Sequence, residues 1–126
     1  MTQSILIADD EAHIRILMEQ TLEELEDQGV ELLIATNGAE ALEIIQTQKP
    51  DLVFLDVMMP KMNGFEVCQT VKQNVETRSI HVIMLTAKGQ EFDQQKGKEV
   101  GADLYMTKPF DPDEIVEKAL EVLGLG

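Results

Sequence analysis

The segment Asp51-Leu52-Val53-Phe54-Leu55-Asp56-Val57-Met58-Met59-Pro60 runs four bulky apolar residues in succession into an aspartate. An unbroken apolar run of this length, bounded by polar and turn-forming residues, is the pattern of a short strand buried on both faces. Asp56 then stands where a core strand meets solvent. Desolvating a carboxylate there costs several kcal/mol unless a cation, a hydrogen bond or a chemical use compensates, so the rest of the chain should encode a partner.

The same grammar recurs. Ser4-Ile5-Leu6-Ile7-Ala8 runs into Asp9-Asp10-Glu11, His81-Val82-Ile83-Met84-Leu85 into Thr86-Ala87, and Asp103-Leu104-Tyr105-Met106-Thr107 into Lys108-Pro109. In an open sheet of parallel strands, ligands bind in the crevice outside the carboxyl ends of the strands. The spacing therefore predicts one site built from Asp9, Asp10, Asp56, Thr86 and Lys108.

Between these runs the apolar period becomes helical. Ile14, Leu17, Met18, Thr21, Leu22 and Leu25 recur at intervals of three and four, which predicts a helix from about Ala12 to Asp27, stopped by Gly29. Glu31 to Ala35 reads as another strand. Asn37 is then an N-cap for a helix carrying Ala41, Leu42 and Ile45, which Lys49-Pro50 closes. Beyond the loop Met59-Pro60-Lys61-Met62-Asn63-Gly64, a helix turns Phe65, Cys68, Val71 and Val75 inward. Glu91 to Val100 reads as a weaker, polar helix ended by Gly101. Asp111-Pro112-Asp113-Glu114 starts a last helix that buries Ile115, Ala119, Leu120 and Leu123. Five strand and helix pairs in strict alternation imply an α/β fold with parallel strands and helices on both faces.

Global composition bounds the function. A chain of 126 residues lies near the usual domain size and folds without a disulfide or metal. No linker, repeat or low-complexity segment divides it, so the expectation is a single domain over 1–126 with no second output or catalytic domain. Ten basic against 24 acidic residues give a net charge of -14, which argues against direct nucleic-acid binding and against anionic membranes. No apolar run approaches the ~18 residues of a membrane span, and no secretory leader is recognisable. The expected compartment is the cytoplasm, consistent with a lone Cys68. Cys68 reads as core, His13 and His81 lack ligand spacing, and the seven methionines read as packing.

Taken together, Ile5-Leu6-Ile7-Ala8-Asp9-Asp10-Glu11, Leu55-Asp56-Val57-Met58-Met59-Pro60 with Asn63-Gly64, Leu85-Thr86-Ala87, Gly101-Ala102-Asp103 and Tyr105-Met106-Thr107-Lys108-Pro109-Phe110 make the chain resemble a response-regulator receiver domain of two-component signalling over essentially all 126 residues. The resemblance implies a flavodoxin-like, doubly wound (βα)5 fold with strand order 2-1-3-4-5. It also implies that Asp56 is the phosphoacceptor, a carboxylate nucleophile that attacks phosphorus. Asp9, Asp10 and Asp56, with the backbone carbonyl of Met58, resemble the family's magnesium site. Crowded carboxylates favour a divalent cation, and hard oxygen donors suit magnesium, with manganese possible, rather than zinc.

By the same resemblance Lys108, Thr86 and the Ala87 backbone N–H contact the phosphoryl oxygens. Thr86 and Tyr105 form a switch that reshapes the face of Glu91–Val100, the fifth strand and the last helix. The Lys108-Pro109 peptide is expected to be cis. Implied partners are a histidine kinase or phosphotransfer protein and a downstream protein target, with the chain monomeric or dimerising on phosphorylation. It would be no enzyme beyond intrinsic self-phosphorylation and slow self-dephosphorylation, because neither Met58 nor Lys88 offers a group to orient water. The alternative is a pseudo-receiver that binds partners without phosphorylation. A haloacid-dehalogenase-type phosphatase would need an acid where Met58 stands, and a flavin protein would need a Ser/Thr/Gly-rich loop in place of Asp9-Asp10.

Overall fold

The computed structural model describes residues 2–87, 96 and 98–125. Five strands, β1 (Ser4–Ala8), β2 (Glu31–Ala35), β3 (Leu52–Asp56), β4 (His81–Ala87) and β5 (Leu104–Lys108), form one sheet in the order β2-β1-β3-β4-β5. Every pairing is parallel. The helices described are α1 (Ala12–Thr21), α2 (Glu23–Asp27), α3 (Gly38–Gln48), α4 (Gly64–Gln73) and α5 (Pro112–Leu123). The expected helix Glu91–Val100 lies largely outside the described residues, although 96 and 98–100 are helical.

The order explains the burial pattern. The central strands β1 and β3 are buried along their whole length, while β2 and β5 lie at the edges and are only partly covered. Alternate side chains feed two cores. One face gathers Leu6, Val53, Leu55, Val82 and Met84 under Ala41 and Ile45 of α3 and Val67, Cys68 and Val71 of α4. The other gathers Ile5, Ile7, Leu52, Phe54, Ile83 and Leu85 under Met18, Leu22 and Leu25 and under Ile115, Ala119 and Leu123 of α5.

Local chemistry sets the boundaries. The Asn37 side chain caps α3, and Asp111 caps α5 by accepting from the Asp113 N–H, with Pro112 in the first turn. Asn63 and Glu66 form a reciprocal capping box at the start of α4.

The structure differs from the sequence reading in three places. The single helix expected from Ala12 to Asp27 is divided at Leu22, just after the Thr21 hydroxyl donates to the Leu17 carbonyl at 2.7 Å, a back-bond that bends helices. Leu17, placed on the inward face, is 41% exposed. Val75 is 71% exposed rather than inward, because α4 stops at Gln73, Asn74 is extended, and its side chain accepts from the Glu76 N–H.

Candidate functional site

Strand alternation brings the charged groups together. Ile5 and Ile7 precede Asp9, Leu52 and Phe54 precede Asp56, and Leu104 and Met106 precede Lys108, at every second residue. All six apolar side chains belong to, or pack against, the core beneath α1, α2 and α5. The next position along each strand therefore projects from the same face at the carboxyl edge of the sheet. The parallel register sets Asp9 level with Asp56, whereas the β5 residue at that level is Met106, so Lys108 stands two residues further along the sheet and its side chain reaches back to both carboxylates.

Lys108 is the hub. Its ammonium lies 3.1 Å from Asp9 Oδ2, 3.1 Å from Asp56 Oδ1 and 3.4 Å from Glu11 Oε1. Asp9 is fully buried and Asp56 nearly so. Asp9 Oδ1 also accepts from the Glu11 N–H at 2.9 Å, and the Asp9 carbonyl accepts from Arg15 Nη1 at 2.9 Å. Oxygens of Asp9, Asp10, Glu11 and Asp56 all lie within 4.8 Å of one another, an arrangement that could hold a cation. Two of those carboxylates are exposed and two are sunk in the fold, so the cluster faces outward from a buried base.

Burial, then the Asp9 carboxylate, pushes the Asp56 carboxyl up to about 7 against the opposing pull of Lys108. Burial alone would lower Lys108, but Asp56 and then Asp9 hold it above the ordinary lysine value. A single ammonium thus serves an excess of carboxylates. Asp10, Glu11, Ile14, Asp56, Met58, Lys108 and Pro109 line an open cleft of about 510 Å³. The Lys108-Pro109 peptide is cis.

Thr86 and Tyr105 occupy the other face of the sheet. Thr86 is buried in β4 and stands in register with Thr107. Two residues before it, Met84 lies in the core beneath α3 and α4, is in register with Tyr105, and Tyr105 packs half-buried against that core. Alternation therefore puts Thr86 and Tyr105 on one face of adjacent strands, diagonally offset by two residues in the register. Ala87 ends β4 in register with Lys108.

All the carboxylates expected at the site, with Lys108 and Met58, border the cleft or lie beneath it, whereas Lys88 is outside the described residues. Sequence reasoning did not include Glu11 and Arg15 among the site residues. Glu11 belongs to the acidic triplet and Arg15 follows one turn later on α1, so helical spacing was the available signal. It named Gly64 only within the Asn63-Gly64 pair and not as a site residue. A Cβ there would overlap the Asp56 carbonyl oxygen, and the Gly64 N–H donates to Val57 O at 2.9 Å, so α4 starts in direct backbone contact with the end of β3.

Comparison with known proteins agrees with this architecture. The family model described as response regulator receiver domain matches residues 5–120. The chain is 44% identical over 123 residues to the alkaline phosphatase synthesis transcriptional regulatory protein PhoP of Bacillus subtilis, covering 98% of this chain and 49% of that protein. It is 46% identical over 121 residues to the phosphate regulon transcriptional regulatory protein PhoB of Pseudomonas aeruginosa, covering 96% and 52%. The chain thus spans about half the length of these curated relatives. Among solved structures, a putative response regulator from Chloroflexus aurantiacus superposes with a TM-score of 0.87 at 33% identity, over 98% of this chain and 99% of that one. The chemotaxis response regulator CheY4 of Vibrio cholerae gives 0.84 at 33% identity, over 97% and 99%. With the parallel 2-1-3-4-5 sheet and the acidic cluster at its carboxyl edge, these matches establish that the chain belongs to the response-regulator receiver family.

Proposed function

We propose that Asp56 accepts a phosphoryl group from a histidine kinase or a histidine phosphotransfer protein, and that the new charge switches a protein-binding face. The observation that carries this reading is the Lys108 ammonium held between Asp9 and Asp56 at the mouth of an open cleft. A structural ion pair needs one carboxylate. Here several converge on one cation at an accessible surface, which suits a site for a charged ligand.

An Asp56 carboxylate oxygen attacks phosphorus in line with the leaving group. The new O–P bond forms as the P–N bond of the donor phosphohistidine breaks, and the electron pair remains on the imidazole nitrogen. Lys108 lies within reach of Asp56 Oδ1 and so is placed to neutralise a phosphoryl oxygen beside it. The Thr86 hydroxyl and the Ala87 N–H serve further oxygens, both from the end of β4. Asp9, Asp10, Asp56 and the Met58 carbonyl would hold magnesium, or manganese, and their oxygen chemistry fits either ion. The ion when bound supplies charge neutralisation for the transferring group.

The phosphoryl group adds about -1.5 to -2 charges at Asp56. Thr86 is drawn toward it, and Tyr105, two residues away in the register on the same face, moves into the space released. The chain is then a switch with only intrinsic gain and loss of phosphate, rather than a turnover enzyme. Regulation of transcription is supported as the output process by the names of the curated relatives. The net charge of -14 favours a protein target for these 126 residues over DNA itself.

Intact-mass spectrometry after incubation with magnesium and acetyl phosphate tests the reading. One added phosphoryl group that requires magnesium and is missing in Asp56→Asn is the expected result. Intact magnesium binding without any mass gain would instead favour a phosphorylation-independent interaction module.

A further inference from the structure

The loop between β3 and α4 carries Met58 into the cleft, and it is held in an uncommon shape. The Met62 N–H donates to the Pro60 carbonyl at 2.8 Å across Lys61, whose φ of 69° is left-handed. A three-residue turn of this hand is rare and strained for a residue with a side chain, and it persists only where its surroundings enforce it. The enforcing contact comes from α3. The Gly38 N–H reaches the same Pro60 carbonyl at 3.4 Å.

Gly38 is buried at the first position of α3, and a Cβ there would overlap the Met62 carbonyl oxygen. It is not among the glycines with positive φ, so what the position demands is space rather than conformational freedom. Gly64 fastens the far end of the loop, against the Asp56 and Val57 carbonyls. The loop is therefore clamped between two helix starts that are bare of side chains.

We infer that Gly38, on a helix that contributes nothing else to the cleft, is a positioning residue for the Asp56 site. By admitting the loop against α3 it holds the strained turn and so fixes where Met58 stands relative to Asp56. The inference rests on the proposed role of Asp56 and Met58 in holding a divalent cation.

The test compares Gly38→Ala with Gly29→Ala in the full chain. Gly29 has a φ of 96° with nothing within 4 Å of an added Cβ, so its substitution strains the backbone far from the loop and serves as a control for lost stability. Gly38→Ala should displace the metal-free amide resonances of Met58, Met59 and Lys61 to Asn63 and weaken magnesium binding by about tenfold in calorimetric titration. Gly29→Ala should do neither. Pro60→Gly, a change at an exposed residue that adds no heavy atoms, gives a second arm if Gly38→Ala does not fold. By loosening the turn it should weaken magnesium binding by about threefold. Wild-type affinity in both loop variants, or an equal loss in Gly29→Ala, would overturn the positioning role. Failure of the wild-type chain to bind magnesium would overturn that role together with the phosphoacceptor reading beneath it.

Discussion

At Asp56 the fold buries a carboxyl beside Asp9, and both burial and that neighbour favour the protonated form, with a pKa of about 7. In the unfolded chain the group titrates near its ordinary value of 3.8. Between those values the folded state binds the extra proton, so this group's contribution to stability is fully present below about pH 4 and is lost as pH rises through 7. Metal-free thermal unfolding should therefore show a loss on the order of 4 kcal/mol across that window, and Asp56→Asn should flatten it. A wild-type profile identical to that of Asp56→Asn would contradict the assignment. Lys108 gives the complementary test. Replacing it by Met leaves Asp9 and Asp56 without their cation, which should cost about 3 kcal/mol at pH 8 and less at pH 5, where Asp56 takes up its proton. Denaturant melts at the two pH values read this directly.

Among the elements, the central strands were the most legible part of the sequence, because Leu52 to Leu55 and Ile5 to Ala8 are buried on both faces and leave no alternative period. Their ends located Asp9 and Asp56 for the same reason, while Lys108 ends the partly covered edge strand β5. Helix ends were less legible, because tertiary and side-chain bonds decide them. Thr21 looked like part of an apolar face, yet its hydroxyl turns back to Leu17. Val75 fitted the helical spacing, but the Asn74 side chain had already redirected the backbone. Gly64 could not be recognised as a contact with β3 from spacing, since only the folded packing brings the Asp56 carbonyl to it. The capping box at α4 supplies a prediction at this scale. Asn63→Ala removes the bond to the Glu66 N–H and should lower stability by about 1 kcal/mol, measured by urea unfolding with an unchanged m-value. No measurable change would mean that Gly64 alone fixes the start of the helix.

For the molecule as a whole, two cores sandwich one sheet, and the charged site sits on the rim of one of them while Thr86 and Tyr105 lie over the other. A change of charge at Asp56 therefore has a short structural path through β4 to the opposite face. A cation held at the acidic cluster would by the same arrangement raise global stability. Saturating magnesium, at about 100 times its dissociation constant, should stabilise the fold by about 2.7 kcal/mol. The gain should be larger at pH 8 than at pH 5, because protonated carboxyls are poor ligands. Equal gains at both values would argue that the ion binds elsewhere. The central claim is that Asp56 itself carries the phosphoryl group. Its most direct test is reductive trapping with borohydride after exposure to magnesium and acetyl phosphate, which converts an aspartyl phosphate to homoserine, followed by peptide mapping. Homoserine at position 56 alone is the expected result, and trapping at Asp9, Asp10 or any other position with Asp56 unmodified would overturn the assignment of Asp56.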